Sequence, residues 1–117
     1  HVAGCARKAA DDPSAAAFRE AVESQGVRSL YVQTDVTCPE QLGQLVEETI
    51  RTFGRLDVLV SSAGMNVFEG AAGCTEERWQ YNLDLNLASH WRLSKLCKPY
   101  LEQSGEGVIL LMTSNHA

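Results

Sequence analysis

Asp57-Val58-Leu59-Val60-Ser61-Ser62-Ala63-Gly64 is the stretch that decides the fold. A strand-favouring apolar run closed by small residues and a glycine reads as a buried parallel strand ending in a tight turn. In an open α/β sheet such a strand end is where ligands bind. The run does not say which ligand, so its flanks have to.

Immediately before it, Leu42, Leu45, Val46, Thr49, Ile50 and Phe53 recur at helical spacing, and Gly54 ends that helix. Thr37-x-x-Glu40 with Pro39 in the first turn is a capping-box signature for its start. Leu30, Tyr31 and Val32 predict a strand over residues 28–34, which delivers Asp35-Val36-Thr37 at its end. Further upstream, Asp12 as N-cap and Pro13 at the first helical position start a helix that runs to about Gln25. Its apolar face is Ala17, Phe18, Ala21 and Val22, and Gly26 stops it in a left-handed cap. The opening run His1-Val2-Ala3-Gly4-Cys5-Ala6-Arg7 reads as a strand emerging at the basic tip Arg7-Lys8.

Downstream, Met65 to Gly73 is loop-like, and Thr75-Glu76-Glu77 caps a long helix whose first acids complement its positive end. Trp79, Leu83, Leu87 and Trp91, continued by Leu93, Leu96 and Tyr100, form its wide apolar stripe, with the two tryptophans expected in helix packing or the core, and Asn86 interrupts that stripe. Asparagine is a poor interior helix residue because it competes for backbone hydrogen bonds. Pro99 is expected to kink or end the helix near residues 95–98. Val108-Ile109-Leu110-Leu111-Met112 is then a second fully apolar strand, ending at Thr113-Ser114. The order β-α-β-α-β-α-β, each connection built around a helix, is that of an α/β, doubly wound parallel sheet.

The 117 residues suffice for one core. The net charge of −5, with acids and bases interspersed, gives no electrostatic footprint for nucleic acid or an anionic membrane. Cys5, Cys38, Cys74 and Cys97 are 23 to 36 positions apart, with no Cys-x-x-Cys pair and no histidine at metal-ligand spacing. They read as free thiols of a reducing compartment, so the expected localisation is cytoplasmic. No apolar run approaches the ~20 residues of a membrane span. Because the first strand begins at Val2 without an initiator methionine, the sequence is expected to be an internal segment.

Ser62-Ala63-Gly64 after Val58-Leu59-Val60 resembles the Asn-Asn-Ala-Gly at the end of the fourth strand of the short-chain dehydrogenases/reductases. Asp35-Val36 resembles the Asp-Val after that family's third strand. Asn86 follows Ser62 by 24 positions and Ser114 follows Asn86 by 28, the intervals at which the family places its catalytic Asn and Ser. Phe53-Gly54-Arg55-Leu56-Asp57, Asn86-Leu87 and Arg92-Leu93-Ser94-Lys95 are similar to common family sequence. Nothing corresponds to the family's N-terminal Thr-Gly-x-x-x-Gly-x-Gly turn or to its Tyr-x-x-x-Lys. Residues 1–117 therefore resemble a partial NAD(P)-binding Rossmann domain, from the second strand to the fifth.

The resemblance implies site residues. Arg7 and Lys8 would meet the adenosine ribose, and Ala6 stands where an NAD-type aspartate would. A guanidinium can hold a 2′-phosphate in two charge-assisted bonds, so NADP is expected in preference to NAD. Asp35 would accept from the adenine amino group and Val36 would add a backbone contact. Ser62, Ala63 and Gly64 would lie against the cofactor's ribose, where Ser61-Ser62 replace Asn-Asn. Ser114 would donate to a substrate oxygen as negative charge develops, and Asn86 would hold a water in a proton relay. His90 and His116 do not suggest a Ser-His hydrolase, because no glycine-flanked nucleophile elbow is present.

The implied function is hydride transfer between nicotinamide and an alcohol or carbonyl substrate. The segment itself would be inactive without the tyrosine and lysine. The alternatives are a non-catalytic dinucleotide-binding regulator and a related epimerase or dehydratase. Glu76 to Glu102 resembles half of the family's dimer interface, which implies a homo-oligomer, dimer or tetramer. Lacking the central first strand, the sheet is expected to have a gap and exposed apolar edges.

Overall fold

A computed structural model describes residues 1–66 and 68–114. They divide into two compact units, His1–Leu56 and a second beginning at Asp57.

In the first unit, strand β1 (Val2–Ala6) pairs in parallel with β2 (Ser29–Gln33), in register from Val2 opposite Ser29 to Ala6 opposite Gln33. Helix α1 (Pro13–Glu23) connects them and α2 (Pro39–Phe53) follows. Asp12 caps α1 as expected, its Oδ1 accepting from Ser14 N at 2.8 Å. The inward face of α1 is Ala15, Phe18 and Val22, whereas Ala17 and Ala21 are exposed. Helical spacing gives a stripe, and the sheet selected the neighbouring one. Gly4 is what lets the Phe18 ring onto β1, since a Cβ there would lie 2.6 Å from it.

Leu42, Leu45, Val46 and Thr49 of α2 are buried, and Gly54 closes the helix at φ 77°. Burying each leucine fully is worth about 1.5–3 kcal/mol, so this stripe anchors the unit. The expected capping box is absent. Cys38 is the N-cap, and Thr37 instead gives its N–H (2.9 Å) and hydroxyl (2.7 Å) to Asp35 Oδ1. A carboxylate two residues back is the stronger acceptor, and it draws Thr37 out of the cap position.

In the second unit, β3 (Val58–Ser61) pairs in parallel with β4 (Val108–Leu111), in register from Val58 opposite Val108 to Ser61 opposite Leu111. Between them run α3 (Glu76–Leu83), a π-turn (Asp84–Ala88) and α4 (Ser89–Ser104). Thr75 caps α3, accepting from Arg78 N at 3.3 Å. Leu59 and Ser61 are buried, but Val58 and Val60 are 51% and 56% exposed, and all four residues of β4 are exposed. The two apolar strands are thus covered on one side at most, where full burial was expected.

Helix α4 runs through Pro99 to Ser104, so the proline does not end it. Proline removes only the bond to the carbonyl of Lys95, both residues are exposed, and Leu93, Cys97 and Leu101 on the other face are buried. Trp79, Leu87 and Trp91 face outward, 55%, 65% and 59% exposed; the core stripe is Leu85, Ser89, Leu93, Cys97 and Leu101. The described residues form two two-stranded parallel sheets, β1-β2 and β3-β4, consistent with an incomplete doubly wound (Rossmann) sheet.

Candidate functional site

Parallel pairing carries each pair of strands out at a common edge, and the candidate residues lie just past those edges. In the first unit, Arg7 and Lys8 follow β1 while Asp35 and Val36 follow β2. Thr34 N donates to Ala6 O at 2.8 Å, which holds the two exits side by side. The hydrogen bonds from Thr37, its hydroxyl first and its N–H second, hold the Asp35 carboxyl below the usual carboxylate range, with a further contribution from the Arg7 charge. Asp35 N donates to Gln41 Oε1 at 2.7 Å, so the residue is fixed from both sides. Lys8 Nζ lies 3.5 Å from Asp12 Oδ2. Val36 is half-buried. This tip offers cations, an ionised acceptor and a backbone peptide within one turn of each strand end.

In the second unit, Ser62, Ala63 and Gly64 leave β3, and Ser114 lies three residues past the end of β4. Met112 N donates to Ser61 O at 2.9 Å, which extends the pairing past β4. Asn86 reaches this edge from the π-turn. Its Oδ1 accepts from Met65 N at 3.0 Å, and its Nδ2 donates to Met65 O at 3.1 Å and to Asn82 Oδ1. The asparagine that broke the apolar stripe is therefore a clamp on the backbone that follows the strand. The π-turn itself is marked by Ser89 N bonding Asp84 O, five residues back. Arg92 Nη2 meets Asp84 Oδ1 at 3.2 Å and Gln80 Nε2 meets Oδ2 at 3.2 Å, bracketing the turn along one side of the helix.

Gly64 has a different reason to be small from the tight turn alone. Its φ is not positive, and a Cβ there would lie 3.0 Å from Asn86 Oδ1. Ser61 Oγ and Nδ1 of His90 share a hydrogen bond at 2.6 Å with both residues buried. It ties the end of β3 to α4 inside the unit, a packing role for His90; His116 lies outside the described residues. The Ser61–His90 bond, the Met65 clamp and the π-turn were not foreseen in the sequence. A polar residue in an apolar helix stripe was the signal for the last two; the first left none.

The cysteines are free, and burial pushes the Cys97 thiol up to about 11, so that sulfur is a packing group. Among the described residues no His, Cys, Asp or Glu side chains gather to hold a metal ion, and no helix is long and apolar enough to cross a membrane. A shallow hollow of about 260 Å³ lined by Lys98, Leu101, Gly107 and Ile109 opens at the N-terminal end of β4, the opposite end from Ser114, and holds none of the candidate groups.

The family model described as short chain dehydrogenase matches residues 1–117. A hydroxynaphthalene reductase of Aspergillus fumigatus is 30% identical over 95 residues, which are 81% of this chain and 34% of the reductase. An uncharacterized NAD-dependent oxidoreductase of Mycobacterium tuberculosis is 30% identical over 97 residues, 83% of this chain and 35% of that protein. The structure of an alcohol dehydrogenase from Thermococcus sibiricus complexed with 5-hydroxy-NADP superposes with a TM-score of 0.84 at 30% identity, over 96% of this chain and 46% of that one. The chain thus spans about a third of the length of the curated relatives it matches. Because that family model matches from the first residue to the last, the chain belongs to the short-chain dehydrogenase family.

Proposed function

We propose that this chain is part of an NAD(P)-dependent oxidoreductase acting on a small alcohol or carbonyl compound, with NADP favoured over NAD. When bound, the dinucleotide supplies or accepts the hydride. The residues present fit such a ligand in kind: cations at the tip of β1, an ionised carboxylate at the tip of β2, and small residues at the tip of β3. Arg7 and Lys8 bind the 2′-phosphate, Asp35 accepts from the adenine amino group, and the Val36 peptide adds a backbone contact. Ser62, Ala63 and Gly64 let the ribose approach the backbone.

The observation that carries the reading is the Asn86 clamp on Met65, together with Ser114 leaving the same sheet edge one strand away. Ser114 donates its hydroxyl to the substrate oxygen and stabilises charge that develops there. Both Asn86 amide protons are engaged, while Oδ1 has a second lone pair beyond the Met65 N–H, which a relay water can use. The exposed stripe of Trp79, Leu87 and Trp91 supports a homo-oligomer, and the free thiols support a cytoplasmic setting.

The test is the product of the complete coding sequence, assayed for NADPH consumption against a panel of ketones and aldehydes. Turnover is expected, with Ser114→Ala lowering kcat on the order of a hundredfold. A Ser114→Ala variant as active as the parent removes Ser114 from the chemistry, and no turnover with any carbonyl or alcohol sinks the oxidoreductase reading.

A further inference from the structure

Five consecutive carbonyls at the tip of β1 are all taken by donors of the same unit. Ala6 O accepts from Thr34 N at 2.8 Å and Ala9 O from Asp12 N at 3.0 Å, the ordinary bonds of a ladder and a turn. The other three are held by side chains: Arg7 O by Gln33 Nε2 at 3.0 Å, Lys8 O by Tyr31 OH at 2.8 Å, and Ala10 O by Arg19 Nη2 at 2.7 Å. Gln33 and Tyr31 are two positions apart on β2 and so project from one face of the strand. Their acceptors are the carbonyls of the two residues whose side chains are cationic. Tyr31 is itself steadied, its ring 6.2 Å from that of Phe18 and 6.0 Å from the Arg19 guanidinium.

Carbonyl oxygens repel an anion, so a turn that receives a phosphate gains from having them bound elsewhere. Fixing the Arg7 and Lys8 peptides also fixes the roots of two long, rotamer-rich side chains, which lowers the ordering cost when those chains close on a ligand. Stability alone gives Gln33 little reason for this bond: it is solvent-exposed at the last position of β2.

We propose that Gln33 and Tyr31 are positioning residues that set the preference for a 2′-phosphorylated adenosine ligand, an inference that rests on the NADP reading above. They act through the Arg7 and Lys8 backbone and touch no reacting atom.

The probes are adenosine 2′,5′-bisphosphate and adenosine 5′-monophosphate, titrated by calorimetry into the product of the complete coding sequence, so that no substrate need be known. The parent protein is expected to bind the bisphosphate more tightly. Tyr31→Phe, which removes one oxygen and keeps the ring contacts, and Gln33→Met, which keeps length at an exposed site, are each expected to weaken the bisphosphate about fivefold and to leave the monophosphate unchanged. Equal weakening of both ligands marks a merely structural bond and overturns the proposal, as does no change in either. A parent protein that does not favour the bisphosphate overturns the NADP reading and this proposal with it; a preference that survives both variants overturns the positioning role alone.

Discussion

Asn86 holds both backbone polar groups of Met65, accepting from its N–H at 3.0 Å and donating to its carbonyl at 3.1 Å. One carboxamide thereby replaces the strand partner that Met65 lacks once β3 has ended. Asn86→Ala removes both bonds and is expected to lower stability by about 1 kcal/mol. Asn86→Asp keeps the acceptor for Met65 N but sets a carboxylate against Met65 O and Asn82 Oδ1, and it should cost more. Urea midpoints in the order parent, Ala, Asp are the expected result; an aspartate variant as stable as the parent removes the clamp from the account.

How much of this was legible in the sequence depends on which forces decided each element. The stripe Leu42, Leu45, Val46 and Thr49 is set by helical period and its end by the Gly54 stop, both local, and both match the structure. Thr37 looked like a cap until Asp35 competed for its donors. Val58 and Val60 read as buried because composition does not say what will cover a face. Period alone likewise could not tell the buried side of the long helix from the side carrying Trp79 and Trp91. Asn86 and Ser114 stand out in the sequence by intervals that resemble the family's, whereas the Ser61–His90 bond depends on how closely β3 approaches α4, which no local pattern encodes.

Two glycines should respond to alanine with opposite signs. A Cβ at Gly107 would lie 2.6 Å from the Leu101 carbonyl oxygen and 2.8 Å from its carbon, backbone atoms that cannot move aside alone. Gly107→Ala is expected to destabilise by about 1–3 kcal/mol. Gly43 sits inside α2 with nothing within 4 Å of a new Cβ. Gly43→Ala is expected to stabilise by about 0.5–1 kcal/mol through helix propensity. Thermal or urea unfolding checks both, and a stabilised Gly107→Ala contradicts the described approach of the β4 entry to α4.

Asp35 links the β2 tip to pH. Its folded-state pKa lies below the ordinary value, first because of the Thr37 hydroxyl. The contribution is therefore fully present above the unfolded value of about 3.9 and is lost as pH falls through the folded one. Thr37→Val removes the hydroxyl bond and should move the Asp35 pKa up toward that ordinary value, carrying the acid limb of unfolding to higher pH. Carboxyl chemical shifts of Asp35 titrated in the parent and the variant measure this directly; superimposable titrations would refute the Thr37 assignment.

The outward stripe of α3 and α4 bears on assembly. Trp79, Leu83, Leu87 and Trp91 recur every four residues at 55%, 36%, 65% and 59% exposure, and large apolar side chains so arranged along a helix are costly to leave in water. Lys95 Nζ lies over the Trp91 ring at 5.4 Å, which covers one face of one ring and leaves the remaining stripe uncovered. A self-complementary pairing of two such helices would bury both stripes at once, as a two-fold interface requires. In the product of the complete coding sequence, Leu87→Glu combined with Trp91→Glu would set two carboxylates against their copies across that axis. Sedimentation velocity is expected to show the parent as a dimer or tetramer and the double variant shifted by at least one halving of mass. Because both side chains are exposed within the unit, its own helical circular dichroism should persist. An unchanged sedimentation coefficient would place the oligomer contact, if the parent forms one, on a different surface, and a monomeric parent would remove the oligomer itself.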